Sequence, residues 1–256
     1  MSEVWVYGIH AVQAALKANR VESLWLDRSR HDKRMTQLLE LAGHNVATHY
    51  LERPELEQRL TQTLGGHKPG NAPVKHQGVL ARLKPQVGLD ESGLLQWLQQ
   101  VSEQGRPPLV LALDGVQDPH NLGACLRSAD AAGVHVVIAP RDRSVDLTPV
   151  VRKVACGAAE ALPFVTVTNL ARTLEQLKQM GLWTVGLDGA AEQSLYEHDL
   201  RGPVVLVLGA EGQGLRRLTK EKCDFLAQLP MAGVVESLNV SVATGICLFE
   251  AVRQRL

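Results

Sequence analysis

At 256 residues the chain is long enough to bury a sizeable core, as one large domain or two modest ones. Its 27 Lys and Arg balance 27 Asp and Glu, so overall charge gives no evidence of a polyanionic partner, and no apolar run reaches the roughly 18 residues a membrane span needs. Four cysteines without CxxC or Cys/His ligand spacing, each in or beside an apolar segment, argue for buried reduced thiols rather than a metal site or disulfide framework.

In chain order, "VWVYGIHAVQAAL" reads as a short strand, a turn at Gly8 and an amphipathic helix with Ala11, Ala15 and Leu16 on one face. "VESLWLDRS" is a second strand, "HDKRMTQLLELAGH" a helix ending at Gly43, and "NVATHYL" a third strand, followed by a helix from Pro54 to about Leu64. "GGHKPGNAPVKHQGVLARLKP" begins loose and ends in the strand-like "GVLARL". Residues 1–85 hold 12 Lys and Arg against 8 Asp and Glu, with six of the nine histidines. Such a front suits an anionic partner, and a solvated surface accounts for the same count. Together these make an α/β unit over 1–84, joined through a linker and connecting helix over 85–106 to a second unit over 107–256.

In that second unit the strands "LVLALDG", "VHVVIAP", "PFVTV", "LWTVGLDG", "VVLVLGAEG" and "FLAQLPM" are interleaved with helices near 121–132, 148–159, 169–180, from about Leu215, and at 238–254. Apolar strands alternating with helices predict a mostly parallel sheet covered on both faces, with ligands outside the strands' carboxyl ends. Three loops there carry candidates. "LALDGVQDPHNLGACLRSADAAG" places Asp114, Asn121 and Arg127 at or beyond a strand end; an Asx turn with N-cap and a surface ion pair would explain the last two as well. "VLVLGAEGQGLRRL" has glycines at 209, 212 and 214 with Glu211 between them. Its G-x-x-G-x-G spacing meets neither the dinucleotide nor the P-loop pattern, and a carboxylate there repels phosphate, favouring a nucleoside-type ligand without phosphates. "QLPMAGVVESLNVSVATGICLFEA" crowds Ser237, Asn239 and Ser241 at the mouth of an apolar helix, more polar groups than capping needs.

Taken together, "LDGVQDPHNLGACLRSADAAG", "VLGAEGQGLRRL" and "LPMAGVVESLNVSVATGICLFEA" resemble, in order and spacing, the three signature motifs of the SpoU (TrmH-like) RNA ribose 2′-O-methyltransferases of the SPOUT class. "VYGIHAVQAAL" and "KHQGVLA" resemble the L30e-like RNA-binding domain that precedes the catalytic domain in many members, so the likeness covers nearly the whole chain. The resemblance implies a catalytic α/β domain containing a deep trefoil knot, S-adenosylmethionine as cofactor and a homodimer with the active site near its interface; a cytoplasmic location is the default expectation for a chain without an apolar span, and the cysteine spacing offers no metal site. The resemblance also implies methylation of a ribose 2′-hydroxyl, most closely that of a guanosine in the peptidyl-transferase loop region of 23S rRNA, with tRNA or another rRNA as the alternative target.

Carried over by position, Gly209, Leu229 and Leu238 line the cofactor pocket with Met231, Ala210 and Gly212 beside them. Arg127 grips a substrate phosphate through its donor fork, Asn121 directs the ribose or Arg127, Glu211 orients Arg127 or a substrate donor, and Ser237 and Asn239 position the substrate and the second loop. A guanidinium is effectively always protonated, which speaks against Arg127 as general base. Proton loss to a phosphate oxygen, water or Glu211 is the better expectation. On the front unit, Arg28, Arg30, Lys33, Arg34, Lys75 and His76 are candidates for RNA backbone contacts. A non-catalytic RNA-binding or assembly factor would not need three intact cofactor loops, and a nicotinamide enzyme would need a different glycine spacing.

Overall fold

The computed structural model describes residues 4–63, 76–84, 89–212 and 214–256. Its contacts divide into two units, Met1–Val87 with Leu147–Ala161, and Gly88–Asp146 with Leu162–Leu256.

The first unit runs β1 (Trp5–Tyr7), α1 (Ile9–Lys17), β2 (Val21–Asp27), α2 (Lys33–Ala42), β3 (Ala47–Leu51), α3 (Arg53–Thr63) and β4 (Val79–Leu83). The strands form one mixed sheet in the order β1-β4-β2-β3, with only β2 and β3 parallel. Alternation along the strands sorts the side chains: Val6, Leu24, Leu26, Val79 and Ala81 join the apolar sides of α1 and α2 in one cluster, while Tyr7, Trp25 and Leu80 meet Leu56 and Leu60 of α3 in another. Asp32 caps α2, its carboxylate accepting from the Arg34 and Met35 N–H groups.

The second unit continues with α4 (Leu94–Glu103), β5 (Leu109–Asp114), α5 (Pro119–Ala131) and β6 (Val136–Pro140). The next segment, expected as one helix over 148–159, forms two short ones, α6 (Pro149–Val154) and α7 (Ala158–Ala161), whose contacts group with the first unit. The break lies at Cys156 and Gly157, both in the left-handed region at φ 53 and 102. A Cβ on Gly157 would stand 1.9 Å from that of Ala14, so α1 approaches too closely for any other residue. Arg152 and Glu160 pair across the break at 2.5 Å; burial pushes the Glu160 carboxyl up, and Arg152 opposes that shift.

The chain then completes β7 (Phe164–Val167), α8 (Leu170–Gln179), β8 (Trp183–Leu187), a 3-10 turn (Leu195–Glu197), β9 (Val204–Gly209), α9 (Arg217–Lys222), β10 (Phe225–Ala227) and α10 (Val240–Arg255). Its six strands, ordered β10-β8-β9-β5-β6-β7, pair in parallel throughout, as their continuous apolar runs predict. Leu94 and Leu98 of α4 and Leu170, Leu174 and Leu177 of α8 cover one face, and α10 packs on α5 and β9. After β10, Gln228 donates to the Gln193 carbonyl and accepts from the Leu195 N–H, so the chain is clipped to the β8–β9 connection before it turns into α10. This is the stretch of path where the resemblance places the knot.

Two thiols, Cys125 and Cys247, match the expected buried state and Cys223 is half-buried; burial pushes Cys125 up to about 11, and Cys223 and Cys247 up to about 12. Cys156 departs from it, because the left-handed turn after α6 puts its side chain in solvent.

Candidate active site

The loops after β5, β8, β9 and β10 meet at the carboxyl edge of the parallel sheet. Asp114, the last residue of β5, is 1% exposed and acts as a foundation rather than a ligand. Its carboxylate accepts from the Arg216 backbone N–H at 2.9 Å and from Arg216 Nε at 2.6 Å, fixing the far end of the glycine loop. Helix α5 starts earlier than the expected 121. Pro119 occupies its first turn, and the Asp118 carboxylate caps it by accepting from the His120 N–H at 2.6 Å. Asn121 is therefore not the cap, and its side chain is left for other use.

That use is a contact between all three loops. Asn239 Nδ2 donates to Asn121 Oδ1 at 2.9 Å and also to Glu211 Oε1, which accepts the Val240 N–H at 3.3 Å as well. The other end of the Asn239 amide, Oδ1, accepts from Ser241 N at 2.9 Å and Ser241 Oγ at 2.6 Å, capping α10. Donor and acceptor ends of one side chain are thus both committed, which fixes its orientation. The structure brings Asn121, Glu211 and Asn239 into one cluster. Ser237 stands exposed at its rim, and Arg127 is exposed on α5, outside the linings of the two cavities described next.

The first cavity, about 480 Å³, is lined by all six residues expected to hold the cofactor: Gly209, Ala210, Gly212, Leu229, Met231 and Leu238. Gly209 is irreplaceable by geometry. A Cβ there would lie 2.0 to 2.4 Å from backbone atoms of Gly214 and Leu215, so the loop folds back onto the strand end only over a bare α-carbon. Three carboxylates, Asp188, Glu211 and Glu236, line this cavity, and none of its described lining residues is Lys or Arg. Asp188 was not anticipated, although the "GLDG" that ends β8 repeats the Leu-Asp-Gly of β5. A hydrogen bond from Lys220 and one from the Ala190 N–H hold its carboxyl below the usual aspartate range.

A second cavity, about 450 Å³, adjoins the first, sharing Ala210, Glu211, Gly214 and Val240. Asn121 lines it, together with three cations that sequence reasoning missed: Arg143, Arg216 and Arg217. Below both, Cys125 Sγ and Thr244 Oγ1 meet at 3.4 Å where α5 packs on α10.

On the first unit the RNA candidates divide. Lys33 and Arg34 are exposed, as is Arg28, which pairs with Glu52 at 3.6 Å. Arg30 is partly buried, pairing with Asp32 at 2.5 Å and donating to the Gln77 carbonyl. His76 is 6% exposed; its Nδ1 accepts from the Gly78 N–H at 3.1 Å and its Nε2 faces Glu57 at 3.7 Å. The expectation of a surface contact from His76 is corrected: its ring holds the turn into β4. Lys75 lies outside the described residues.

Comparison with known proteins gives matches along most of the chain. Residues 108–249 match the model of the SpoU rRNA Methylase family, and residues 5–66 that of RNA 2'-O ribose methyltransferase substrate binding. The 23S rRNA (guanosine-2'-O-)-methyltransferase RlmB of Pseudomonas putida is 55% identical, over 98% of this chain and 96% of its own. The protein of that name from Escherichia coli K12 is 49% identical, with both chains covered fully. Among solved structures, the SpoU methyltransferase AviRb from Streptomyces viridochromogenes in complex with the cofactor AdoMet superimposes with a TM-score of 0.76 at 25% identity, covering 99% of this chain and 91% of that one. No helix among the described residues is long and apolar enough to cross a membrane.

Proposed function

The chain belongs to the SpoU rRNA methylase family, and from that premise we propose that it transfers a methyl group from S-adenosylmethionine to the ribose 2′-hydroxyl of a guanosine in 23S rRNA. The observation that carries this reading is the cavity at Gly209. It is lined by glycines and apolar side chains and is faced by three carboxylates without a counter-cation among its described lining residues. Such a lining repels phosphates and accepts a nucleoside bearing a sulfonium. Gly209, Ala210, Gly212, Leu229, Met231 and Leu238 would hold the cofactor, which supplies an electrophilic methyl carbon when bound.

The chain's own residues then have separate tasks. Asn239 clamps Asn121 and Glu211 together, so the loops that border both cavities are set before substrate arrives, which is what an in-line displacement requires. Arg127, outside the two cavities on α5, grips a phosphate of the substrate, while Ser237 positions the acceptor at the cavity rim. The proton leaves to Glu211, a phosphate oxygen or water. Arg28, Lys33 and Arg34 make backbone contacts that locate the RNA without reading its bases.

A homodimer and a cytoplasmic location belong to the same proposal. Helix α10 supports the dimer: Val240, Cys247, Leu248 and Ala251 are buried within the unit, while Val242 and Phe249, one heptad apart, are about half exposed. The test is to map ribose methylation on 23S rRNA from cells with and without this protein. Loss of one methylated guanosine in the peptidyl-transferase loop, restored by the wild-type chain, is the expected result; an unchanged map with a changed tRNA would redirect the proposal.

A further inference from the structure

Three cavities follow one another along the carboxyl edge of the parallel sheet. Beyond the two already described lies a third of about 390 Å³, between the ends of β6 and β7 and the start of α8, lined by Asp142, Thr168 and Asn169 among others. Neighbours share walls: Ala210, Glu211, Gly214 and Val240 separate the first from the second, and Arg216 and Arg217 separate the second from the third. Resting on the methyltransferase reading, we propose that the second and third cavities form a track for the acceptor strand, in which Arg143 and Arg217 bind the phosphates that flank the methylated ribose.

The order of the cavities gives the acceptor its place. A displacement needs the 2′-oxygen in line with the methyl carbon, so the acceptor ribose belongs in the cavity that shares a wall with the cofactor's, which the third does not. An RNA strand continues past that ribose, and the third cavity continues past the second.

Charge selects the residues. Arg216 is committed, because its guanidinium and backbone N–H are both bonded to the fully buried Asp114 carboxylate. Arg217 is open to exchange: its partner is Glu221, one turn further along α9 at 2.6 Å, and both side chains are largely exposed. An exposed pair of that kind is weak, so a phosphate replaces it readily.

Arg143 is exposed, and its guanidinium bonds to none of the described residues. Its backbone sits at φ 59, a conformation unfavourable for a non-glycine residue, held in place where the Val145 N–H donates to the Val116 carbonyl at 3.0 Å. Asp118 and Glu211 line the same cavity, but each is bonded to neutral donors, Asp118 to the His120 N–H and Glu211 to Asn239 and Val240, and neither forms an ion pair with Arg143. An uncommitted guanidinium fork beside the acceptor cavity has the geometry that phosphate oxygens fit.

The experiment measures binding of a 23S rRNA transcript across a range of salt, together with methylation and calorimetric S-adenosylmethionine affinity, for wild type, Arg143→Gly, Arg143→Lys, Arg217→Ala and the control Arg201→Ala. Glycine is chosen because it accepts φ 59 freely while removing the charge. Arg201 is an exposed cation of the same unit paired with Asp199. Arg143→Gly and Arg217→Ala are expected to bind cofactor like wild type and to weaken RNA at least about tenfold. Each should also flatten the log–log salt slope by about 0.7–0.9, while Arg143→Lys keeps the slope and Arg201→Ala changes nothing. Wild-type RNA affinity and slope in both charge-removing variants would overturn the track and leave the methyltransferase reading standing. Loss of cofactor affinity in Arg143→Gly would also overturn it, by placing that residue elsewhere. A wild-type chain that neither binds the cofactor nor methylates would remove the reading and the track together.

Discussion

The two cavities that share Glu211 are built from opposite materials. The one at Gly209 is lined by glycines and apolar side chains and recognises by how closely backbone approaches its ligand. Its neighbour is floored by the pair of buried Asp114 with half-buried Arg216, rimmed by Arg143 and Arg217, and recognises by charge. A backbone-made site fails all at once when one carbon is added, because main chain has nowhere to go. A charge-made site loses affinity in increments and in proportion to salt.

The hardest test of that contrast is Gly209→Ala. Its Cβ would meet Gly214 and Leu215 backbone at 2.0 to 2.4 Å, with no side-chain end able to yield. The loop must lift, at a cost of about 3 kcal/mol or more, and S-adenosylmethionine affinity measured by calorimetry should fall at least about 100-fold. Retained affinity would mean the loop approaches the ligand less closely than its fold indicates. Second in size is Arg127→Lys, which keeps the charge and removes the fork. Single-turnover methylation should drop by roughly 100-fold with cofactor affinity unchanged. Near-wild-type turnover would dismiss Arg127 as the phosphate grip.

What was legible in the sequence follows the same division. Strands buried on both faces declare themselves as apolar runs, so all six strands of the second unit were placed from "LVLALDG" to "FLAQLPM". The glycine loop and the crowded mouth of α10 lie within single motifs, and their residues meet where expected. Features decided by distant partners were not legible. Arg143 and Arg216 acquire their places from the register of neighbouring strand ends and from Asp114, 102 residues from Arg216. The α6–α7 break falls where Ala14 leaves room only for a glycine at 157, and His76 is buried where Gly78 and Glu57 meet its ring. The start of α5 was set too late: a proline at the first helical position moves the cap to Asp118 and frees Asn121.

A smaller effect probes the rim of the backbone-made cavity. Asp188 lines it, and bonds from Lys220 and the Ala190 N–H depress its carboxyl pKa. The stabilisation is therefore present above the ordinary aspartate value of about 3.9 and is lost as pH falls through the depressed folded value. Lys220 is substantially exposed, which limits the contribution to about 1 kcal/mol. In thermal scans, Asp188→Asn should lower the melting temperature by about 2–4 °C near neutral pH and narrow that gap to wild type in strong acid. A gap that stays constant down to pH 2 would show that the carboxylate charge contributes nothing there.

The smallest expected effect concerns the ground beneath both cavities. Cys125 faces Thr244 where α5 meets α10, and burial pushes its thiol up to about 11, so almost none of it is thiolate at pH 8. Cys223 and Cys247, pushed up to about 12, are no more reactive, whereas Cys156 is exposed. A colourimetric thiol titration of the native protein at pH 8 should therefore show one fast thiol, assigned by its loss in Cys156→Ser, and four after unfolding. Its value lies in the second thiol. If Cys125 reacts on the fast timescale as well, α5 and α10 must part far enough to admit the reagent, and the Asn121–Asn239 contact above them could not remain closed. A slow Cys125 leaves that floor rigid, so that RNA affinity lost in the arginine variants reports removed charge rather than a loosened helix pair.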